Sequence, residues 1–423
     1  MIEKTNMARE LQITRDSSKL LTIYDKFTHF VKLQQTAVLP GFHARNKQSN
    51  MFNNWLAVGN DATNIDFQKS AYRALSGADS SIDDVLEIIG KDGNKTKMTW
   101  QKLFIEAENY GAIDKGVFAN DIGAGARTKG LFNKVIPGKF DPTDTGNFFG
   151  YKIGTRVGNT IENHDRLIHF ASQVKNGMNF QDAAESVNKF LFDYGELTGF
   201  EHNVMKRIFP YYTWMRKNGA LQLEQLLEQP EKYRMVSKVL SGIENTVDED
   251  KRINKAYVNE FAQDWIQTPL NVMNPDGRME PVLWNPNLPF MDLGRIPDPT
   301  KPLDSLKETF SQTNPLIKLP VELATNKNFF FDSPISKEGE SKLGAGLKHI
   351  GGQFGVVPVA QGLANKTGVD FGLHLMNNTT GIKMLSYDYD KYKAIKIQEL
   401  AKKRTNSKSN PGILDSINRR LGK

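Results

Sequence analysis

Apolar positions along this chain recur three and four residues apart far more often than they alternate, the period of amphipathic helices. From Met7 to Leu39 the series Leu11, Leu20, Leu21, Tyr24, Phe27, Phe30, Val31 and Val38 predicts two helices. Ser17 or Ser18 would cap the second, and Pro40–Gly41 would end it. Pro40 to Trp55 reads as an irregular, aromatic-bearing turn entering a helix around Met51 to Val58. Further helices are predicted over Phe67 to Ser76, Ser81 to Ile89 and Thr99 to Tyr110, with Asp61, Ser80 and Thr99 as caps.

Between Gly111 and Gly150 glycines are frequent and apolar repeats are few, so a long loop is expected, a contact surface that orders against a neighbour. The helical period returns after Gly154. One helix carries Ile161, Leu167, Ile168, Phe170, Ala171 and Val174 and stops at Asn176–Gly177. Asn179 should cap the next, whose inner face is Phe180, Ala183, Ala184, Val187, Phe190 and Leu191. Thr198 and Glu201 have capping-box spacing, in which each side chain takes the other's free backbone N–H. Pro210 should break the helix that follows, with Tyr211, Tyr212 and Trp214 packed around the break as a core anchor. Helices from about Asn218 to Gln229, and from Pro230 to Leu240, complete this part.

From Thr268 to Pro334 recurrent prolines predict an extended connector, with short helices near Ser305 to Phe310 and Pro320 to Thr325. Lys342 to Met376 is rich in glycine and alanine, either a pliable membrane-active segment or a tightly packed core hairpin. Asp390 to Arg404 is a basic helix with a frayed tail behind it. The expected fold class is mostly α, an extended multi-helix assembly with long Gly/Pro-rich loops and little or no β-sheet. Its segments are 1-110, N-terminal helical; 111-153, the Gly-rich loop; and 154-267, central helical. Then come 268-341, the connector; 342-389, Gly-rich; and 390-423, the basic C-terminal helix and tail.

Composition adds that these cores are modest. Hydrophobic residues make up 39% and mean hydropathy is −0.49, against roughly 45–50% in ordinary globular domains. With 25 Phe, 12 Tyr and 5 Trp the chain is too aromatic for disorder. The low apolar content suggests an extended chain, or one that completes its cores against partners. There are no cysteines, which excludes disulfides, thiolate metal sites and cysteine nucleophiles. No apolar stretch reaches the ~18 residues of a transmembrane helix, and Met1 to Thr14 lacks a signal-peptide core. The expectation is a protein made in a cytoplasm and not secreted by the ordinary route.

Charge is concentrated at one end. Residues 391–423 hold ten Lys and Arg against Glu399 and Asp415, a net +8 in a chain whose total is +7. Lys402, Lys403, Arg404, Lys408, Arg419 and Arg420 are therefore the candidate contacts for nucleic-acid phosphates or an anionic membrane face. The plainer reading is a solvated tail.

Catalytic constellations are absent from the pattern. The seven histidines form no HExxH or HxH, and His164 and His169 are spaced off a common helix face. Gly123 to Arg127 and the glycines of 344–355 lack the strand before and the GK[ST] behind that a phosphate loop needs. Asp388-Tyr389-Asp390 lacks the remaining ligands and the glycine of a calcium loop. Glu162, Asp165, Glu185, Asp193, Glu196 and Glu201 could supply a carboxylate pair for glycoside cleavage, but they lie beside Arg156, Arg166 and Arg207. Salt bridging and capping explain them better. No enzyme activity, cofactor or metal is expected.

Three stretches in order resemble one family. Phe192-Asp193-Tyr194-Gly195-Glu196-Leu197-Thr198, followed by Phe209-Pro210-Tyr211-Tyr212-Thr213-Trp214-Met215-Arg216-Lys217-Asn218, is similar to an FDY…PYYTWxRKN motif of tailed-bacteriophage proteins. That motif occurs in internal virion or ejection proteins and in the C-terminal domains of large polyvalent proteins. Leu39 to Asn46 resembles the family's PG-aromatic-x-x-RN turn, and Thr313 to Phe330 its NP…PxE…NxxF segment. The resemblance implies a structural virion component, internal or ejected, that helps package or deliver the genome across the host envelope. It implies other virion proteins (portal, core or tail) as partners, with phage DNA bound non-specifically, a host membrane at ejection, and a homo-oligomer. Phe192, Asp193, Tyr194, Pro210, Tyr212, Trp214 and Arg216 would be structural anchors. The rival expectations are a cell-wall-degrading virion enzyme and a non-virion phage DNA-binding protein.

Overall fold

The computed structural model describes residues 19–77, 84–89, 94–122, 128–130, 134–135, 137–258, 262, 264–274, 276–295, 309–329, 333–336, 339–354, 358–361 and 368–408. Of these, 65% are helical and 10% lie in strands, the mostly-α class that the apolar period predicts. In chain order the first elements are α1 (Lys19–Gln35), α2 (Pro40–Val58), α3 (Ile65–Ser76), β1 (Val85–Ile89), β2 (Lys95–Thr99) and α4 (Trp100–Asn109). Then come α5 (Phe149–Lys175), α6 (Phe180–Phe190), α7 (Tyr212–Glu228), α8 (Pro230–Asn245), β3 (Ile266–Met273) and β4 (Met279–Asn285). The last are α9 (Pro315–Thr325), α10 (Lys342–Gly351), α11 (Gly368–Thr380), β5 (Lys383–Ser386) and α12 (Tyr389–Lys408).

Two units make up the chain. One comprises Met1–Pro230, Asn287–Ala364 and Asn378–Gly381; the other comprises Glu231–Pro286, Asn365–Asn377 and Ile382–Lys423. The division falls at Glu231, inside the stretch read from sequence as one central helical region, and each unit is built from separated pieces of chain.

In the first unit α5 is the axis, packed by α2, α3, α4 and α6. Its core gathers Phe67, Trp100, Leu103, Leu167, Ile168, Phe170 and Val187. Trp100 meets Phe67 edge-on at 5.2 Å. Each such side chain taken from water contributes ~1.5–3 kcal/mol. The local signals for these helices are plain. Asn64 accepts the N–H groups of Asp66 and Phe67 to start α3, which stops at left-handed Gly77, φ +66°. Thr99 caps α4 and Asn179 caps α6, as their positions predict.

Five expectations are corrected. Pro40 does not end a helix: it opens α2, where its fixed φ suits the first turn and no hydrogen bond is lost. The turn expected from Pro40 to Trp55 is therefore helical. In place of a helix over Ser81 to Ile89, Val85–Ile89 is a strand paired antiparallel with β2, Val85 opposite Thr99. Leu86 and Ile88 point into the core while Val85, Glu87 and Ile89 stay out, a period of two. Asn64, not Asp61, caps α3. The Gly-rich loop packs on its own chain over its described part, burying Ala112, Ile113, Val117, Phe118 and Ile122. The expected caps Ser17, Ser18 and Ser80 lie outside the described residues.

The second unit is built on a three-stranded antiparallel sheet, order β3-β4-β5, with Ile266 opposite Trp284 and Leu283 opposite Leu385. The expected Pro-rich connector thus begins as a hairpin. Pro269 is accommodated where the β3–β4 register shifts between Gln267 and Asn271, because a bulge needs no ladder donor there. Val258, Ala262, Trp265, Leu283 and Tyr387 form its core, with Tyr387 stacked on Tyr392 at 4.9 Å. The described part of the Gly-rich stretch contains the helices α10 and α11.

Candidate functional site

The first unit contains a buried polar seam where α2 crosses α5. Asn46, Asn50 and Asn54 step four residues at a time along α2 and face Glu162, Asp165 and His169 on α5. Asn46 donates to Glu162 Oε1 at 3.1 Å and Asn50 to Asp165 Oδ2 at 3.1 Å. Lys47 pairs with the same Asp165 carboxylate. Asn54 donates to the Asp165 carbonyl at 2.9 Å, leaving its own amide oxygen to accept from His169 Nδ1 at 2.8 Å. His169 Nε2 then accepts from Ser186 Oγ at 2.8 Å, so the network assigns the tautomer. Burial pushes His169 down to about 3, helped by the nearby Arg166 charge, and holds the ring neutral.

Glu162 docks the Gly-rich loop. Its carboxylate accepts the Phe118 N–H at 3.2 Å, and a Cβ on Gly116 would stand 1.9 Å from Oε2, so a larger residue there would displace the carboxylate. Burial pushes the Glu162 carboxyl up to about 7, against the opposing pull of Arg166 and of its hydrogen bonds. Arg166 is itself fully buried. It donates to the carbonyls of Ala112 at 3.2 Å and Leu191 at 2.7 Å, to Asn188 Oδ1 at 3.1 Å, and to the Phe192 carbonyl.

The FDY segment is thereby held in place. Phe192 takes a left-handed φ of +59°, rare for a bulky side chain, with its carbonyl fixed by Arg166 and its ring buried. Asp193 accepts the Gly195 N–H at 2.8 Å, while Tyr194 is buried and donates its N–H to the Lys115 carbonyl at 2.9 Å. Glu201 forms the expected capping box with Thr198 and also takes Tyr212 Oη at 3.0 Å and Arg216 Nε at 3.0 Å. Pro210 is buried, and α7 starts beyond it. Trp214 is half-buried rather than a full core residue: it meets Phe192 edge-on at 5.5 Å and donates to Asp292 at 3.2 Å.

Beside them, Asp121 is fully enclosed between Lys32 Nζ at 3.0 Å and Lys206 Nζ at 2.8 Å. Burial works to raise its pKa, but the two ammonium groups hold it well below the usual range. Burial also pulls Lys32 down. The third resembling segment is latched here too. Buried Asn314 donates its N–H to the Ile208 carbonyl at 2.7 Å and its side-chain amide to Thr28 at 2.6 Å. Glu322 accepts from Phe329 N–H at 2.9 Å and bonds His349 at 2.8 Å.

Sequence reasoning missed this seam by reading Pro40 to Trp55 as an irregular turn and the α5 carboxylates as salt-bridging or capping groups. The signal was present, because Asn46, Asn50 and Asn54 keep the spacing of an inward face. The carboxylates considered for glycoside cleavage are otherwise engaged: Glu162 and Asp165 are buried under Asn46 and Lys47, Glu185 takes Gln181, and Glu196 pairs with Lys217. Among the described residues no cluster of His, Asp and Glu is arranged to hold a metal, and no helix is long and apolar enough to cross a membrane. Of the basic candidates, Lys402, Lys403, Arg404 and Lys408 sit in the last turns of α12, their side chains outside the described residues; Arg419 and Arg420 lie outside them entirely. Compared with protein-family models, with curated proteins and with solved structures, the chain matches none.

Proposed function

We propose that this chain is a structural component of a tailed-phage virion, an internal or ejected protein that helps package or deliver the genome across the host envelope. One observation carries the reading: the polar groups of the resembling segments are spent on holding the chain together. Asp193, Thr198, Arg216, Trp214 and Asn314 each bond to the protein itself. The Asn314 to Ile208 bond ties the third segment to the residues just before the PYYTW turn. A catalytic motif would aim its polar atoms at a cleft, whereas these satisfy backbone and side-chain partners, as a scaffold's do. The basic C-terminal region suits non-specific contact with the packaged genome.

Virion proteins are the partners of such a scaffold, with further copies of the chain among them. Particle proteomics tests this: the chain should be enriched in purified particles over the lysate, and absence from particles refutes it. A zymogram on cell-wall material should show no clearing band, and a band would favour the enzymatic reading.

A further inference from the structure

Helix α5 begins with its polarity reversed. Its small residues face the protein: a Cβ on Gly154 would stand 1.7 Å from the Ala37 carbonyl oxygen, and one on Gly158 would stand 2.4 Å from the Phe118 ring. The large apolar side chains at the same four-residue step point outward. Phe149, Ile153 and Val157 are 49%, 56% and 42% exposed. The preceding turn continues this surface, with Phe140 54% exposed. Phe140 meets Phe149 edge-on at 6.2 Å, and the Phe149 N–H donates to the Lys139 carbonyl at 3.0 Å, which fixes turn and helix together.

The cations of this face stand unpaired. Lys139, Lys152 and Arg156 are exposed, and among the described residues no ion pair engages them. The carboxylates of the same stretch, Asp141 and Asp144, are buried, and Asp144 is occupied by the N–H groups of Gly146 and Asn147. Contiguous exposed apolar side chains rimmed by cations mark an interaction surface rather than ordinary exposure.

We propose that the outer face of α5 and the 137–140 turn form a peripheral docking surface for an anionic lipid bilayer. Phe140, Phe149 and Ile153 enter the acyl boundary while Lys139, Lys152 and Arg156 reach the headgroups along their apolar stems. Charge and shape select this occupant. Duplex DNA would pair with the cations but would leave Phe149, Ile153 and Val157 without a partner. A second copy of the same face would set like charges against each other. The inference rests on this surface alone and does not depend on the virion assignment.

The absence of cysteine from the chain makes the test direct. Ile153→Cys carries an environment-sensitive fluorophore, and Gln181→Cys, on the exposed side of α6, carries the same dye as control. Emission at 153 should rise and shift to the blue with phosphatidylglycerol-containing vesicles but not with phosphatidylcholine alone, and emission at 181 should not change. Lys152→Glu combined with Arg156→Glu should weaken partitioning by roughly tenfold or more. A chain ending before Lys402 should keep the response at 153, which separates this face from the basic tail. The proposal is overturned by a silent label at 153 or an equal response at 181. It is equally overturned if duplex DNA gives the response in place of vesicles, or if the response follows protein concentration without lipid.

Discussion

Phe192 and Trp214 meet edge to face with ring centroids 5.5 Å apart, and each is brought there by a backbone irregularity. Phe192 holds a positive φ, and Trp214 follows the break at Pro210. Replacing Trp214 by Ala removes that ring pair and the bond to Asp292. Because the ring is half-buried, the expected loss is about 2–3 kcal/mol, below that of a full core tryptophan. Trp214→Phe keeps a ring against Phe192 and should cost less. Urea midpoints measure both, and a Trp214→Ala protein as stable as the parent would contradict the anchor role.

Glycine substitutions should diverge sharply with position. Gly154→Ala drives a methyl into the Ala37 backbone, which cannot move aside as a flexible side chain can, and should cost several-fold more than an ordinary surface change. Gly219, inside α7, has nothing within 4 Å of its missing Cβ. Gly219→Ala should therefore stabilise by about 0.5–1 kcal/mol through helix propensity. Thermal melts of the pair check this, with equal shifts as the contrary result.

These two glycines illustrate what was legible in the sequence. Elements set by local chemistry were readable: α4 from Thr99, α6 from Asn179, and the Thr198–Glu201 box. Elements set by distant chain were not. Strands β4 and β5 pair Leu283 with Leu385 from far along the chain, and nothing near either residue announces the other. Pro269 and Pro281 argued against strands, yet the first lies at the register shift and the second needs only its carbonyl, which accepts from Tyr387 at 3.0 Å. The resembling motif residues were read from sequence as structural anchors, a role that the Trp214→Ala measurement tests. The polar seam beside them was not legible, because Pro40 to Trp55 reads as a turn until the facing helix is known.

Glu162 should make stability fall as pH rises. Its folded pKa is pushed up to about 7 from an ordinary value of 4.5, so the folded state holds the proton more tightly than the unfolded chain between those values. Stability is then lost across that window at up to roughly 1.4 kcal/mol per pH unit. His169, held down to about 3, acts with the opposite sign, but it is common to the parent and to a Glu162→Gln variant. The variant's stability relative to the parent should therefore improve between pH 5 and pH 7. A difference that stays constant over the range would contradict it.

The basic C-terminal region should bind duplex DNA without sequence preference. Deleting Lys402 to Lys423 removes Lys402, Lys403, Arg404, Lys408, Arg419, Arg420 and Lys423. For every phosphate these cations neutralise, the deletion should flatten the log–log salt dependence by about 0.9. Circular dichroism should remain essentially that of the parent. Binding unchanged by the deletion would show the tail to be a solvated end.

The central claim is that the chain is an internal or ejected part of a virion. Quantitative mass spectrometry of purified particles, filled and then emptied of DNA in vitro, tests it most directly. The account predicts a fixed copy number per filled particle, depleted from emptied shells if the chain is ejected and retained in them if it is an internal component. A chain missing from filled particles would contradict it.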